Sequence, residues 1–232
     1  MKYSIVIPTY NRKDLLIKCI NSIINNTNLN EDIEIITVCN GCWDGTLELM
    51  QAYNKVHKNI KVVYWPEPLG FSRAVNAGLA VSTGEYVVLL NNDCLLLANN
   101  WLEILEYPFT IHPKTGITGP AYQKWPHGAR SFIFFCVMIK RDVIKAIGYL
   151  DEIFGVGHGE DTDYSFRAIK AGFEMYQVPY EIEVSYIAER GIITGSFPIF
   201  HESFQTRKLI PYMEEIIKKN ENILRERYNL PV

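Results

Sequence analysis

Hydrophobic positions in this chain recur with two alternating periods. Residues 3–8, YSIVIP, are rich in Ile and Val and stop at a proline, which cannot donate to a sheet ladder and suits a strand end. From Asn11 onward Leu15, Leu16, Cys19, Ile20, Ile23 and Ile24 recur at helical spacing, with Asn11 and Asp14 near the start, where the first amides need acceptors. The same alternation predicts strands at 33–39, 60–65 and 85–90 and helices at 46–56 and 71–81. Strands that read as continuous apolar runs and alternate with helices predict an α/β fold, with a mainly parallel sheet covered on both faces. In such sheets the ligand sits beyond the carboxyl ends of the strands. That makes PTYNR, VCNGCWDGT, WPEPLG and LLNND one convergent rim.

The second half is less regular. It predicts a buried run at 131–139, a helix at 141–147, a mobile glycine-rich loop at 155–159, a helix at 161–171 and extended stretches at 174–179 and 182–187. In the tail, 211–228, Met213, Ile216, Ile217, Leu224 and Tyr228 share one face of an amphipathic helix. Packing on the domain is its first use, with peripheral membrane contact or a homodimer as the others. Repeats, low-complexity segments and linkers are absent, so residues 1–232 read as one domain.

Composition narrows the class. With 48% apolar and 21% charged residues and a formal net charge of -3, the chain has the profile of a soluble globular protein. Mild acidity argues against coating nucleic acid, which needs a surplus of clustered Lys and Arg, although a local basic patch stays open. Five cysteines, an odd number without paired C-x-x-C units, indicate neither a disulfide framework nor a zinc site, and reduced thiols suit a cytoplasmic protein. The N-terminal apolar stretch is too short for a signal-peptide core. The longest uncharged apolar run elsewhere, 132–139, is far short of the roughly 20 residues of a transmembrane helix.

Several constellations carry candidate chemistry. LLNND places Asp93 on the ligand rim, where it can form a turn or hold a hard divalent cation, which takes oxygen ligands. In GVGHGEDTDYSFRAIKAGF a dinucleotide-loop register breaks at Glu160. Glu160, Asp161 and Asp163 open a helix there, either as partners of its macrodipole or as a general base with a positioning partner. VCNGCWDGT is a tight turn on the rim, PTYNR offers the Tyr10 ring and the Arg12 cation, and His201 is either a buried histidine satisfied by backbone or a further metal ligand.

SIVIPTYNR, the V-x-N-G-x-x-D-G-T turn, LGFSRAVNAGL, STGEYVVLLNND, IKRDVIKAIGYLDE and GEDTDYSFRAIKAGF, in this order, resemble the inverting glycosyltransferases of family 2. The resemblance spans about residues 3–201 and implies the GT-A fold, a Rossmann-like αβα sandwich with a mainly parallel central sheet. It implies a nucleotide-sugar-binding half at 1–97, an acceptor and catalytic half at 98–205 and a C-terminal helix at 206–232. The family's DxD motif falls on Asn91-Asn92-Asp93, which makes Asp93 the ligand of Mn2+ or Mg2+, with His201 completing the metal site. Asn91 stands in place of the first carboxylate, and Cys39 in place of an aspartate that meets uracil.

By the same resemblance Asp161 is the catalytic base, with Glu160 as acceptor or alternate base. The nucleotide-sugar pocket takes in Pro8, Thr9, Tyr10, Arg12, Cys39, Asn40, Asp44, Gly70, Phe71, Arg73, Asn76, Asn91, Asn92 and Asp93, with Asp44 also able to hold its own turn. The implied activity is metal-dependent transfer of a sugar from a UDP- or dTDP-sugar to an acceptor hydroxyl in glycan or polysaccharide synthesis, with the loop at 155–159 closing over the donor. Acceptor shape would come from 122–130 and 191–196. A catalytically inactive nucleotide-sugar or glycan-binding module is the alternative. A pyrophosphorylase of related fold would carry a glycine-rich basic loop after the first strand, and PTYNRKDLL has no glycine.

Overall fold

The computed structural model describes residues 1–29, 32–125, 128–178, 187–188, 191–193, 197–202 and 210–230. The stretch expected at 182–187 falls almost wholly outside them, as do 126–127 and 194–196 of the two acceptor segments. The first half runs β1 (Tyr3–Thr9), α1 (Lys13–Asn25), β2 (Ile33–Asn40), α2 (Thr46–Val56), β3 (Ile60–Trp65), α3 (Phe71–Val81), β4 (Tyr86–Leu90) and β5 (Cys94–Leu96). Then come α4 (Trp101–Ile111), β6 (Thr115–Gly119), β7 (Tyr122–Lys124), β8 (Arg130–Phe132), β9 (Cys136–Lys140), α5 (Arg141–Ile147), α6 (Glu160–Lys170) and β10 (Glu174–Gln177). The chain continues through β11 (Ile187–Ala188), β12 (Gly191–Ile193) and β13 (Ile199–His201) to α7 (Met213–Tyr228).

Alternation along the strands explains why they read as unbroken apolar runs. Tyr3, Ile5 and Ile7 of β1 join one buried cluster and Val6 the other, and β4 divides the same way, Val88 and Leu90 from Val87 and Leu89. Successive side chains leave a strand on opposite faces, so each face needs its own helix layer. Leu16 and Ile20 of α1 with Trp101 and Leu105 of α4 cover the first face. Ala74 and Leu79 of α3, Val143 of α5 and Tyr164 and Ala168 of α6 cover the second. Each buried Leu, Ile or Val among them contributes about 1.5–3 kcal/mol by leaving water.

The central sheet has the order β10-β6-β9-β4-β1-β2-β3 among the described residues. Its pairs are parallel except around β9, which runs antiparallel to both β4 and β6. A second, antiparallel sheet has the order β11-β12-β13-β5, and β7 and β8 form a separate ribbon.

Two parts of the second half differ from the sequence expectation. The run at 131–139 is two strands, broken where Ile133 turns outward and Phe135 N donates to Ile133 O at 3.0 Å. α4, which was not expected, carries Pro108 inside it, yet Trp101, Leu102, Leu105 and Pro108 make a continuous buried face at helical spacing.

The loop at 155–159 is held rather than loose. The buried Asn220 of α7 donates from Nδ2 to the carbonyls of Phe154 (2.9 Å), Gly157 (3.0 Å) and His158 (2.9 Å). Below it, buried Asp163 accepts from Arg167 Nε (2.7 Å), Arg227 Nη1 (2.6 Å) and the Tyr228 hydroxyl (2.6 Å), which fastens α7 to α6. The amphipathic tail therefore packs on its own domain through Asn220 and Leu224, the first of the uses its pattern allows.

Asn220→Ala removes the shared amide donor of the Gly157 and His158 carbonyls, while Phe154 O keeps Gly157 N at 3.2 Å, and an unmet buried polar group costs about 1–3 kcal/mol. At roughly 2–4 °C per kcal/mol for a chain of this size, calorimetry is expected to show a fall of several degrees in Tm. An unchanged Tm would mean that the seam carries no stability.

Candidate functional site

The rim begins where β1 ends. After Thr9 the backbone places Asn11 (φ 55) and Arg12 (φ 59) consecutively in the left-handed region, uncommon for residues other than glycine and best tolerated by Asn. Asn11 Oδ1 accepts from Trp43 N at 2.9 Å and Asn11 N donates to Cys42 Sγ at 3.2 Å, which ties this turn to the end of β2. Tyr10 meets Trp43 edge to face, with centroids 5.3 Å apart. Trp43 is 73% exposed, an aromatic surface at the mouth of the site that the sequence reading passed over, although a tryptophan inside a turn motif was its visible signal. Arg12 binds Asp14 through Nε and Nη2, both at 3.1 Å, and its affinity for its proton is raised chiefly by that pairing, with Glu202 and Asp93 adding to it.

At the end of β2, Cys39 is fully buried and cannot reach a ligand directly. With Cys42 it forms a single C-x-x-C unit, in which the Cys39 thiol is pushed up, chiefly by its hydrogen bond with Cys42, and the Cys42 thiol is lowered by the same contact. Asn40 Oδ1 accepts from Leu69 N at 2.6 Å and Nδ2 donates to Gly70 O at 3.4 Å, so it shapes the approach to α3. Asp44 Oδ1 accepts from Thr46 N (3.2 Å) and Oδ2 from Lys13 N (2.9 Å), joining the starts of α2 and α1, the turn-holding role.

The start of α3 packs directly on the 150–157 segment. A side chain at Gly70 (φ 84) would meet Gly155 O at 2.5 Å, which only glycine avoids. Asn76 is buried, with Nδ2 donating to Leu150 O (2.9 Å) and Glu152 Oε1 (3.1 Å) and Oδ1 accepting from Leu150 N (3.0 Å). Its amide is thus engaged within the protein, and Arg73 Nε pairs with Glu152 Oε2 at 2.9 Å. Both residues, assigned to the nucleotide sugar by resemblance, hold the scaffold behind Phe71 in this structure.

β4 runs out into Asn91, Asn92 and Asp93. The register of β5 against β13 pairs Cys94 with His201 and so carries His201 to the end of β4, across more than a hundred residues of sequence. His201 Nε2 lies 3.1 Å from Asp93 Oδ1, yet that oxygen has no partner with hydrogen-bond alignment. Phe135 stacks on the His201 ring (4.4 Å, 9°), and its carbonyl accepts from Asn91 N at 2.8 Å and from the Cys94 thiol at 3.5 Å. Asp93, Cys94 and His201 bring potential ligand atoms within 4.8 Å of one another. The Cys94 thiol, pushed well up by burial, is turned to the Phe135 carbonyl, while Asp93 and His201 face each other.

The acidic group at the start of α6 separates by environment. Asp163 is the buried anchor described above. Glu160 is buried with Oε2 unpartnered, and burial first, then the neighbouring Asp161, pushes its carboxyl up to about 8. Asp161 is raised too, chiefly by burial, while Oδ1 accepts from Thr162 N at 2.7 Å and the Phe134 amide also opposes the rise. The dipeptide Phe134-Phe135 therefore lies between the acidic pair and the Asp93–His201 pair.

Polar atoms left without protein partners gather at this rim. Among the described residues, the buried unpartnered side-chain atoms are Thr9 Oγ1, Asn11 Nδ2, Ser72 Oγ, Asn92 Nδ2, Asp93 Oδ1, Glu160 Oε2 and Thr115 Oγ1, and all but Thr115 belong to strand ends or helix starts on the rim. Buried polar groups are normally paired, so such a concentration marks a place where a ligand supplies the partners.

The family model described as Glycosyl transferase family 2 matches residues 4–128. A poly(ribitol-phosphate) beta-glucosyltransferase of Bacillus spizizenii is 31% identical over 139 residues, covering 53% of this chain and 21% of that protein. Glycosyltransferase AglE of Haloferax volcanii is 31% identical over 194 residues, covering 74% of this chain and 62% of that one. The mannosyltransferase PcManGT from Pyrobaculum calidifontis, solved in complex with GDP-Man and Mn2+, has a TM-score of 0.63 at 21% identity over 77% of this chain and 55% of that chain. That likeness bears out the expected GT-A architecture. The chain spans less than two thirds of the length of each of these relatives.

Glu160 binds its proton more tightly in the fold than in the unfolded chain, so its contribution to stability is full below pH 4.5 and is lost as pH rises towards 8. Melting curves of Glu160→Gln and the parent chain are therefore expected to diverge in favour of the variant between pH 5 and pH 8. A constant difference across that window would contradict the shift.

Proposed function

The chain belongs to glycosyl transferase family 2, and from that premise we propose that it moves a sugar from a nucleotide-diphosphate sugar to an acceptor hydroxyl, with inversion at the anomeric carbon. The observation that carries the reading is the link, through Phe134-Phe135, from the Asp93–His201 pair to Asp161 beside Glu160, on a rim lined with unpartnered polar atoms.

The donor set suits a divalent cation. The 3.1 Å separation of a carboxylate oxygen and an imidazole nitrogen, without hydrogen-bond alignment, is close to the roughly 3 Å between neighbouring ligands at 2.0–2.1 Å from a small divalent ion. Two protein ligands are also what such ions commonly keep when phosphates supply others. Mn2+ or Mg2+ held by Asp93 and His201 would neutralise charge on the departing diphosphate as a Lewis acid.

The chain's own groups do the remaining work. Asp161 takes the proton from the acceptor hydroxyl as that oxygen bonds to the anomeric carbon and the diphosphate leaves from the opposite side. A raised affinity for protons, caused chiefly by burial, makes it a better base than an exposed aspartate. Glu160, protonated below about pH 8, can donate to the sugar or acceptor without placing a second negative charge beside the base. Thr9 Oγ1 and the unpartnered donor Asn11 Nδ2 suit the carbonyl edge of a pyrimidine, which supports a UDP- or dTDP-sugar even though Cys39 is withdrawn into the core. Tyr10 and Trp43 offer aromatic faces beside it. Acceptors in glycan or polysaccharide synthesis fit the named relatives.

Asp161→Asn is expected to lower transfer by about 10²–10⁴-fold, the usual worth of a general base, with donor affinity within about twofold of the parent. Asp93→Asn is expected to abolish the Mn2+-dependent rise in Tm on adding UDP or dTDP sugars. Undiminished transfer by Asp161→Asn would overturn the base assignment. Donor binding by the parent chain with neither transfer nor donor hydrolysis would mark the inactive binding module instead.

A further inference from the structure

We propose that the ribbon formed by β7 and β8 is an acceptor subsite for an anionic group, a phosphate or carboxylate carried on the acceptor chain. The inference rests on the transferase reading and names the substrate class of that same site.

The register of the ribbon pairs Tyr122 with Phe132, Gln123 with Ser131 and Lys124 with Arg130. Trp125 N donates to Ala129 O at 2.8 Å and Ile133 N to Ala121 O at 3.1 Å, so the hydrogen-bonded positions are 121/133 and 125/129. The pairs 122/132 and 124/130 are then the close, non-hydrogen-bonded ones, with side chains on one face. The Tyr122 and Phe132 rings, stacked 4.3 Å apart, agree with that. On the same face the ribbon sets an ammonium directly opposite a guanidinium.

Like charges facing across an antiparallel pair are destabilising, and opposite charges are the usual solution. Residues 120–135 contain no carboxylate, in a chain whose formal net charge is -3. Among the described residues neither Lys124 nor Arg130 belongs to an ion pair. Arg130 instead lies over the Tyr122 ring, 5.9 Å from its centroid. An anion seated between the two cations turns the repulsion into two charge-assisted contacts, one of which the planar guanidinium can make in bidentate fashion.

There is room for such a group, and the ribbon that lines it is tied to the acidic pair. A cavity of about 370 Å³ is lined by Ala121, Tyr122, Lys124, Arg130 and Gln177. Tyr122 OH donates to Met175 O at 2.8 Å, which fixes the ring as one wall. The opposite face of the ribbon reaches the base: Trp125 Nε1 donates to Ser131 Oγ at 2.9 Å, Ser131 Oγ lies 3.1 Å from Thr162 Oγ1, and Thr162 N donates to Asp161 at 2.7 Å. The ribbon thereby joins the cation pair on one face to the base on the other, so an acceptor whose charged group rests on the ribbon would reach Asp161 around its edge.

The test titrates the full chain by calorimetry with a glycerol-phosphate oligomer, an oligogalacturonate, a neutral malto-oligosaccharide of matched length and a single-stranded DNA of matched charge. Binding of the phosphate or the carboxylate oligomer at least tenfold tighter than both the neutral chain and the DNA is expected, and the preferred arm identifies the group. Lys124→Gln with Arg130→Gln is expected to remove that preference, and Lys124→Arg with Arg130→Lys to retain it. A neutral chain or DNA bound as tightly as the anionic oligomers, or an undiminished preference in the double glutamine variant, would overturn the proposal. Stabilisation by UDP or dTDP sugars with Mn2+ is read on the same samples: its presence without an anion preference defeats this inference alone, and its absence from the parent chain defeats the transferase reading.

Discussion

One reversed strand decides where this molecule can do chemistry. β9 lies antiparallel between β4 and β6, so its beginning, rather than its end, reaches the edge of the sheet where β1, β2 and β4 finish. The turn before it, Phe134-Phe135, is thereby laid across that edge. Its backbone holds the Asn91 amide and the Cys94 thiol, its Phe135 ring stacks on His201, and its Phe134 amide faces Asp161. Had β9 run parallel, that turn would sit at the opposite edge and the two acidic centres would lose their common wall.

Around that wall, carboxylates with the same intrinsic chemistry are driven to different tasks by their surroundings. Glu34, fully buried at the other end of β2, meets burial that would raise it with hydrogen bonds from Lys61, Ser4 and Thr83 that hold it down to about 2. Asp163 is likewise surrounded by Arg167, Arg227 and Tyr228. Both are saturated, and both secure the scaffold. Asp93 and Glu160 are buried without that saturation, and Asp161 is only partly satisfied by Thr162. Unmet hydrogen-bonding capacity in a buried place is costly, and a fold keeps it where binding returns the cost.

The C-terminal helix belongs to the same arrangement. Through Asn220 it fixes the carbonyls of the glycine loop, and through Arg227 and Tyr228 it fixes the first turn of α6. The loop, docked against Gly70 at the start of α3, is a wall of the site in this structure, although its glycines alone suggest a mobile segment.

Much of the architecture was legible along the chain. The helices at about 46–56 and 71–81 and the strand at 60–65 follow from periodicity, and the rim follows from where the strands end, because both depend on neighbours within a few positions. Asp93, Glu160 and Asp161 stood out for the same local reason, as polar groups interrupting apolar runs or opening a helix. Tertiary structure alone decided that His201 meets Asp93, that Asp163 is an anchor while its two neighbours stay unsaturated, that Asn76 faces Leu150, and that one buried run is two strands. Those outcomes depend on partners many tens of residues away, through strand register and burial. A local pattern cannot carry that information, because it says which side chain seeks a partner and not which partner the fold brings to it.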